Sequence, residues 1–232
     1  MKRKIQLSLT ALLISVIIFV GYVLVTEYTA KNLDSKSKGV YNILVDINEK
    51  TLYLMDETGR EIIKTYSIAS GKDKTPSPIG TWTVISKGRW GGAFGARWIG
   101  LNVPWGRYGI HGTNKPNSIG SSASHGCIRM FNKDVEELYK YVNIGMRIVI
   151  YGGPYGGFGN GFRVIKPGYT GSDVYEVQRV MKAKGYYKGP VNGIYGDYLK
   201  TCVIKFRKDN NLSITDDIDS NFYKKLGITL FE

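Results

Sequence analysis

The chain has 232 residues, of which 43% are hydrophobic, and a formal net charge of +13 at neutral pH. This length accommodates one domain of ordinary size and a second, smaller one. The basic excess favours an anionic partner. However, the positive charges are interspersed with acidic ones and no nucleic-acid-binding motif is present, which argues against DNA or RNA. Two cysteines far apart in the sequence argue against a disulfide framework, and we expect no disulfide.

The N-terminus contains a long apolar stretch after three basic residues. Positions 2–4 are Lys-Arg-Lys, and residues 5–25 carry few polar side chains. About twenty apolar residues suffice for a helix to cross the hydrocarbon core of a membrane, and the basic end would remain in the cytoplasm. We therefore predict a cytoplasmic stub and transmembrane signal anchor in residues 1–30, followed by a polar tether in residues 31–39. A cleaved signal peptide is the alternative.

Residues 40–151 have the pattern of a mainly β domain. Runs rich in β-branched and aromatic residues at 41–48, 51–56 and 61–69 are separated by short polar turns, which predicts a meander of three strands. Residues 81–87 alternate between apolar and polar side chains, as expected of a further strand.

Two features complete this domain. All four tryptophans lie between positions 82 and 105, and we expect half of them in the core and the others along a cleft. Apolar residues then recur at helical spacing after Asn132, which predicts a helix with Asn132 as its N-cap. Residues 146–151 return to a strand pattern.

Both histidines of the chain and one of its cysteines lie within residues 108–130: His111, His125 and Cys127. If residues 125–127 are extended, the side chains of His125 and Cys127 project to the same face. A thiol has a pKa of about 8.5, and an adjacent imidazole can take its proton to give a thiolate nucleophile. The spacing therefore predicts Cys127 as nucleophile and His125 as base. Gly126 would leave room for a substrate, and nearby backbone N–H groups would stabilise an oxyanion.

Two other interpretations of these residues remain open. His111, His125 and Cys127 could bind a catalytic zinc ion with water as the fourth ligand, although no H-E-x-x-H motif supplies a proton handler. The cysteine could instead be a packed small hydrophobe in a protein without catalysis. The glycine- and serine-rich setting argues against this second interpretation.

The segment H-G-T, followed by a polar loop and then by S-H-G-C-I-R-M, resembles the signature of the YkuD-type L,D-transpeptidases. The resemblance covers residues 40–151 and implies a mainly β, β-sandwich-like catalytic domain that needs no metal or other cofactor. It implies that the cysteine attacks a tetrapeptide stem of peptidoglycan, expels the terminal D-alanine and passes the acyl group to a neighbouring stem. Water as acceptor would make the enzyme a carboxypeptidase. In this scheme Cys127 and His125 are catalytic, and the positions that bind substrate or support the site are His111, Gly126, Arg129, Ser124 and Tyr108.

Two roles are open for Arg129. In an extended segment it shares a face with Cys127, where its guanidinium could hold a substrate carboxylate in a bidentate grip. It could equally be a structural arginine that ties the loop to a backbone carbonyl.

The C-terminal third is predicted to be a separate helical module. Residues 152–165 are glycine-rich and predict a flexible linker. Residues 166–232 then show helical periodicity in three segments, the last near 218–226, which predicts a small three-helix module. Its second helix carries Cys202 on the apolar stripe, so that this cysteine is assigned to the core.

The pattern of residues 166–228 resembles the peptidoglycan-binding module of wall enzymes. Tyr186, Tyr187 and Tyr195 are either sugar-stacking residues or a cover for the small core. The two resemblances and the N-terminus together predict a bacterial single-pass membrane protein. Its catalytic part would face the cell wall, and its partners would be peptidoglycan stem peptides and glycan.

Overall fold

The structure is a computed structural model that describes Gly21 and residues 40–229. The strands within these residues are β1 (Asn42–Asp46), β2 (Thr51–Met55), β3 (Ile62–Gly71), β4 (Gly80–Gly88), β5 (Trp98–Leu101), β6 (Tyr108–His111), β7 (Ser122–Ser124), β8 (Ile128–Met130) and β9 (Arg147–Tyr151). The helices are α1 (Asn132–Tyr141), α2 (Ser172–Ala183), α3 (Asp197–Asp209) and α4 (Ser220–Leu226). This confirms a mainly β domain followed by a helical module.

The strands form two layers that share β3 and β4. The first half of β3 pairs with β2, and its residues 68 and 69 pair with β8. Similarly, β4 pairs with β9 through residues 80–83 and with β5 from residue 84 onward, where a bulge shifts the register. A strand that changes sheets at a bulge makes a corner, which brings the inner faces of the two layers together. The apolar positions that alternate along β1 and β2 point into this core.

Helix α1 closes the domain, but Asn132 does not cap it as predicted. Phe131 occupies the N-cap position. The Asn132 side chain instead accepts hydrogen bonds from the backbone N–H groups of Ala96 (3.0 Å) and Thr113 (3.2 Å). It therefore joins two loops of the domain, while Val135 and Leu138 bury the inner face of the helix.

The glycine-rich residues 152–165 pack between the two parts of the chain, contrary to the prediction of a flexible linker. Gly152 lies against Ile79, and Asn160 donates a hydrogen bond to Asn48 across 3.0 Å. Phe158 packs against the helical core. The glycine count predicted a flexible linker. The partners of this segment are distant in sequence, so the count could not show that the segment packs.

The helical module buries the stripes that its periodicity predicts. Val174, Val177 and Met181 are fully buried, and Cys202 is 6% exposed in the same core. Burial bears on whether the three tyrosines stack on sugars or cover the core. Tyr187 and Tyr195 are buried, and Tyr186 packs against the core. The rings of Tyr187 and Tyr195 therefore cover the core and are not free to stack on sugars, whereas Tyr186 is partly exposed.

The predicted single-pass membrane location is corrected by the structure. Among the described residues, no helix is both long and apolar enough to cross a membrane. The longest, α3, has 13 residues, fewer than the ~20 that a span requires. On the described part of the chain this prediction is therefore wrong. The predicted anchor in residues 1–30, except Gly21, and the tether in residues 31–39 lie outside the described residues.

Candidate active site

The turn between β7 and β8 carries the predicted nucleophile. Residues 125–127 form a bend between these two short strands and are not extended as the spacing argument assumed. Gly126 has a φ of +113°, a conformation that side chains other than glycine rarely adopt. A Cβ at this position would lie 2.5 Å from the ring of Tyr108 and 3.1 Å from the carbonyl oxygen of Pro76. The space beside Gly126 is therefore filled by Tyr108, and it is not open to a substrate backbone as expected.

Ser124 fixes the shape of this turn. Its hydroxyl donates a hydrogen bond to the carbonyl oxygen of Cys127 at 2.6 Å and accepts one from the N–H of Gly126 at 2.9 Å. The serine is 1% exposed, so that both bonds are shielded from water. Because the Gly126 N–H is engaged here, it is not available as an oxyanion donor.

The register of β6 and β8 brings two polar side chains to one face of the sheet. The two strands run parallel, with Ile110 beside Ile128 and His111 beside Arg129. The two isoleucines are buried in the core, so His111 and Arg129 project from the opposite face. The thiol of Cys127 lies at the start of β6, where its Sγ is 3.9 Å from the carbonyl oxygen of Arg107 and is hydrogen-bonded to the Gly109 backbone.

His111 is a buried, oriented imidazole. It is 4% exposed, it stacks on the ring of Trp98 with 5.7 Å between ring centroids, and Phe94 meets its edge. Its Nδ1 hydrogen-bonds the carbonyl oxygen of Gly112, which can only accept, so that Nδ1 carries the proton and Nε2 keeps a lone pair. Burial lowers the pKa of His111 to about 4. The charge of Arg129 acts in the same direction, and backbone hydrogen bonds with Gly112 and Phe94 oppose it.

Burial shifts the pKa of the Cys127 thiol. Its side chain is half-buried, and this burial raises the pKa of Cys127 above its ordinary value. The hydrogen bond with the Gly109 backbone and the positive charge of Arg129 oppose this rise in pKa. Within the described part of the chain no hydrogen bond joins this thiol to His125.

Arg129 is held by few contacts. Its Nη1 lies 3.5 Å from the carbonyl oxygen of Ala123, at the limit of a hydrogen bond. Its Nε is buried and has no partner among the described residues. A buried guanidinium nitrogen without an acceptor is costly, which is the condition expected of a group that waits for a ligand.

His125 is exposed and lines a cleft of about 110 Å³ rather than the sheet face that carries His111. The cleft also contains Tyr108, Trp105 and Lys74 from the catalytic domain. Residues 170–172 of the helical module form its far side.

Several residues of the site were missed by sequence reasoning. Trp98 orients His111, Asn132 holds the segment that follows His111, and Lys74 enters the cleft. The glycine- and tryptophan-rich composition of this region indicated that a tryptophan such as Trp98 could lie at the site. The other two depend on pairings between distant parts of the chain.

A zinc site is not assembled from the predicted ligands. Among residues 40–229 no three His, Cys, Asp or Glu side chains gather closely enough to hold a metal ion. Both cysteines are free thiols.

Comparison with known proteins shows what this chain is similar to. A family model described as "L,D-transpeptidase catalytic domain" matches residues 40–150, and one described as "Putative peptidoglycan binding domain" matches residues 170–226. The chain is 49% identical over 111 residues to "Putative L,D-transpeptidase YkuD" of Bacillus subtilis, a match that covers 47% of this chain and 65% of that relative. The chain thus spans slightly less than two thirds of that relative's length.

Two further similarities complete the comparison. The chain is 36% identical over 122 residues to "Putative L,D-transpeptidase YqjB" of Bacillus subtilis, covering 46% of this chain and 69% of that relative. A solved structure, "L,D-transpeptidase from Mycobacterium smegmatis", matches with a TM-score of 0.41 and 22% identity over 48% of this chain and 58% of that one, a likeness too distant to argue from. On the sequence matches, the chain belongs to the L,D-transpeptidase family.

Proposed function

We propose that this chain is a cell-wall transpeptidase that forms peptidoglycan cross-links through a thioester on Cys127. The observation that carries the proposal is the pairing of β6 with β8, which sets an oriented imidazole beside a guanidinium whose Nε has no partner among the described residues, while the half-buried thiol of Cys127 lies at the start of β6. Membership of the L,D-transpeptidase family supports the substrate, a tetrapeptide stem that ends in D-alanine. We also propose residues 40–151 as the catalytic domain and 166–232 as the peptidoglycan-binding module.

The reaction is a double acyl transfer. The sulfur of Cys127 attacks the carbonyl carbon of the third stem residue while a histidine takes the thiol proton. The tetrahedral intermediate collapses, the bond to D-alanine breaks, and the leaving amine receives that proton. The side-chain amine of a neighbouring stem then attacks the thioester, gives its proton to the same imidazole and releases the thiol. The N–H of Cys127 is the proposed oxyanion donor, since the Gly126 N–H is bonded to Ser124.

The choice of base lies between the two histidines. His125 is the neighbour of Cys127 in sequence, and it remains the prediction of the spacing argument. His111 satisfies two further requirements, because it has an orienting carbonyl on Nδ1 and because it lies on β6, the strand whose Gly109 backbone hydrogen-bonds the thiol. We therefore propose His111 as the base and assign His125 to the substrate cleft.

Product analysis tests the proposed reaction. We expect the purified chain to release D-alanine from disaccharide-tetrapeptides and to form a cross-linked dimer that mass spectrometry detects. Cys127→Ala and iodoacetamide should abolish both products, and a chelator should leave both unchanged. Tripeptide without dimer would indicate a carboxypeptidase. Turnover by Cys127→Ala would overturn the proposal, and loss of turnover with chelator would indicate a metal enzyme.

Paired histidine variants test the base. We expect His111→Gln to lower kcat by on the order of 10³-fold or more, as removal of a catalytic base does in other acyl-transfer enzymes. His125→Gln should raise KM with a smaller effect on kcat. The reverse pattern would assign the proton transfer to His125.

A further inference from the structure

The helical module forms one wall of the cleft beside the proposed nucleophile. Thr170, Gly171 and Ser172 face His125 and Lys74 across the cleft. Gly126, the neighbour of Cys127, contacts two walls of the same cleft, the ring of Tyr108 and the carbonyl of Pro76. The cleft is therefore built from both parts of the chain and lies next to the turn that carries Cys127.

Trp105 holds this wall in place. Its ring meets Trp82 edge-on at 5.2 Å and lies 5.9 Å from Tyr175 of the helical module, centroid to centroid. It also packs so closely on Gly193 that a Cβ there would lie 2.3 Å from the ring. The carbonyl of Gly193 in turn accepts a hydrogen bond of 2.9 Å from the N–H of Gly171, a residue of the wall. The position of the wall is thus coupled to the Trp105 ring.

The size and charge of the cleft define what it can hold. Its volume is about 110 Å³, which suits one small residue. Lys74 is exposed and forms no ion pair within the described residues, and the exposed His125 lies nearby. The hydroxyls of Thr170 and Ser172 add hydrogen-bonding groups on the opposite wall. Such a set matches a carboxylate.

We propose that the helical module takes part in catalysis by completing a subsite for a small, carboxylate-bearing residue of the stem peptide. Lys74 supplies the charge, and residues 170–172, positioned through Trp105 and Gly193, supply the opposite wall. The proposal rests on the proposed function, since it takes the stem peptide as substrate. It assigns the module a role in substrate selection in addition to attachment to the wall.

Lys74→Gln tests the charge of the subsite, with Lys72→Gln as the matched control, because Lys72 lies on the same loop and does not line the cleft. Each variant is assayed with a tetrapeptide that ends in a free carboxylate and with the same peptide ending in a carboxamide. A hydrogen bond to a charged group contributes about 1.5–3 kcal/mol, which corresponds to roughly tenfold or more. We expect Lys74→Gln to lower kcat/KM for the free acid by about that factor and to leave the carboxamide unchanged, whereas Lys72→Gln changes neither. An equal effect of Lys74→Gln on both peptides would overturn the proposal.

Gly193→Ala tests the wall, with Gly185→Ala as its control. Both glycines have positive φ, +69° and +79°, so both alanines suffer similar backbone strain, but nothing lies within 4 Å of a Cβ at Gly185. We expect Gly193→Ala to raise KM for the free acid several-fold while iodoacetamide alkylates Cys127 at the wild-type rate. Gly185→Ala should leave both unchanged. Wild-type kinetics in Gly193→Ala would refute the coupling.

Binding to Cys127→Ala separates the subsite from the reaction. Calorimetry with the acid and the carboxamide peptides measures recognition without turnover. Tighter binding of the acid that is lost in Cys127→Ala/Lys74→Gln supports the subsite, even if product analysis rejects the transpeptidase. Equal binding of both peptides refutes the subsite, even if the enzyme proves active.

Discussion

The two parts of the molecule each contain an arginine with buried nitrogens, but these nitrogens are fully hydrogen-bonded in one part and poorly hydrogen-bonded in the other. In the helical module Arg207 is 1% exposed, and its nitrogens donate to the carbonyl oxygens of Ser213 and Asp217 and pair with Asp219 at 2.8 Å. In the catalytic domain, Arg129 has among the described residues one side-chain hydrogen bond, of 3.5 Å, and a buried Nε without an acceptor. A satisfied buried charge stabilises a fold, whereas an unsatisfied one lowers stability and leaves capacity for a ligand.

The same contrast extends to other polar groups. Gln178 in the module is fully buried, and both ends of its amide are hydrogen-bonded, to Asn192, Gly193 and Ile194 among others. At the site, burial shifts the pKa of His111 down and that of Cys127 up, so each is held away from its charged form. Such perturbation is typical of functional sites. The buried polar groups of the module therefore stabilise the fold, whereas those near β6 and β8 lower its stability.

The largest effect on stability is expected at Arg207. Arg207→Met leaves two carbonyls and a partly buried carboxylate without their donor, and should lower the free energy of unfolding by about 3–5 kcal/mol. Urea unfolding followed by circular dichroism measures this change. Lys208→Met, on the exposed face of the same helix, should stay within about 0.5 kcal/mol. Equal losses in the two variants would contradict a structural role for Arg207.

The next effect is a pH dependence of stability that originates at His111. Its pKa is lowered to about 4 in the folded protein from an ordinary 6.5. Between these two pH values the His111 imidazole binds a proton in the unfolded chain but not in the folded protein. The free energy of unfolding should therefore fall as the pH drops from about 6.5 to about 4, by ~3 kcal/mol.

This dependence is measured by urea unfolding at a series of pH values. His111→Gln should remove the contribution, and His125→Gln should retain it. An unchanged slope in His111→Gln would show that other groups are responsible.

Arg129 should show the reverse of the Arg207 result. Arg129→Gln removes a poorly satisfied guanidinium, so the free energy of unfolding should change by less than about 1 kcal/mol. Its loss from the site should lower kcat/KM on stem tetrapeptides about 100-fold, or ~2.7 kcal/mol. Lys133→Gln, an exposed residue of α1, should change neither quantity. A stability loss as large as that of Arg207→Met would show that Arg129 has a structural role.

The smallest effect is expected at Ser124. Ser124→Ala deletes two hydrogen bonds of the turn and should cost about 1–2 kcal/mol of unfolding free energy. It should also change the rate at which iodoacetamide alkylates Cys127, because the turn that holds the thiol is no longer fixed. Ser122→Ala is the control, since Ser122 is exposed and has one long contact of 3.4 Å with Ser70. Identical behaviour of the two variants would mean that Ser124 does not shape the turn.

Local patterns in the sequence predicted much of this molecule. The alternating strands, the helical stripes of α2 and α3 and the clustering of His111, His125 and Cys127 all arise from side chains close together in the chain. Their periodicity fixes which face is buried regardless of what covers it. The motif around Cys127 also pointed to the correct family.

The remaining features depend on contacts that sequence spacing does not encode. The spacing predicted that His125 pairs with Cys127, and it could not show that the parallel register of β6 and β8 places His111 beside Arg129. The sequence neighbours of Gly126 could not show that Tyr108 and Pro76 fill the space beside it, because these residues are distant in the chain. The glycine-rich residues 152–165 were misjudged for the same reason, because their partners belong to distant elements.

The parallel pairing of β1 with β9 has a consequence for the biogenesis of the protein. Ile43 lies beside Ile148, so the sheet cannot be completed until the chain has been made beyond residue 151. Contacts of such sequence separation form slowly, and a growing chain exposes its unpaired strands until they do. Cys127 is synthesised before β9 and therefore spends this interval without its tertiary surroundings. A nascent chain is expected to pass through a stage in which its thiol is open to oxidation or to a folding factor, before the finished sheet encloses it.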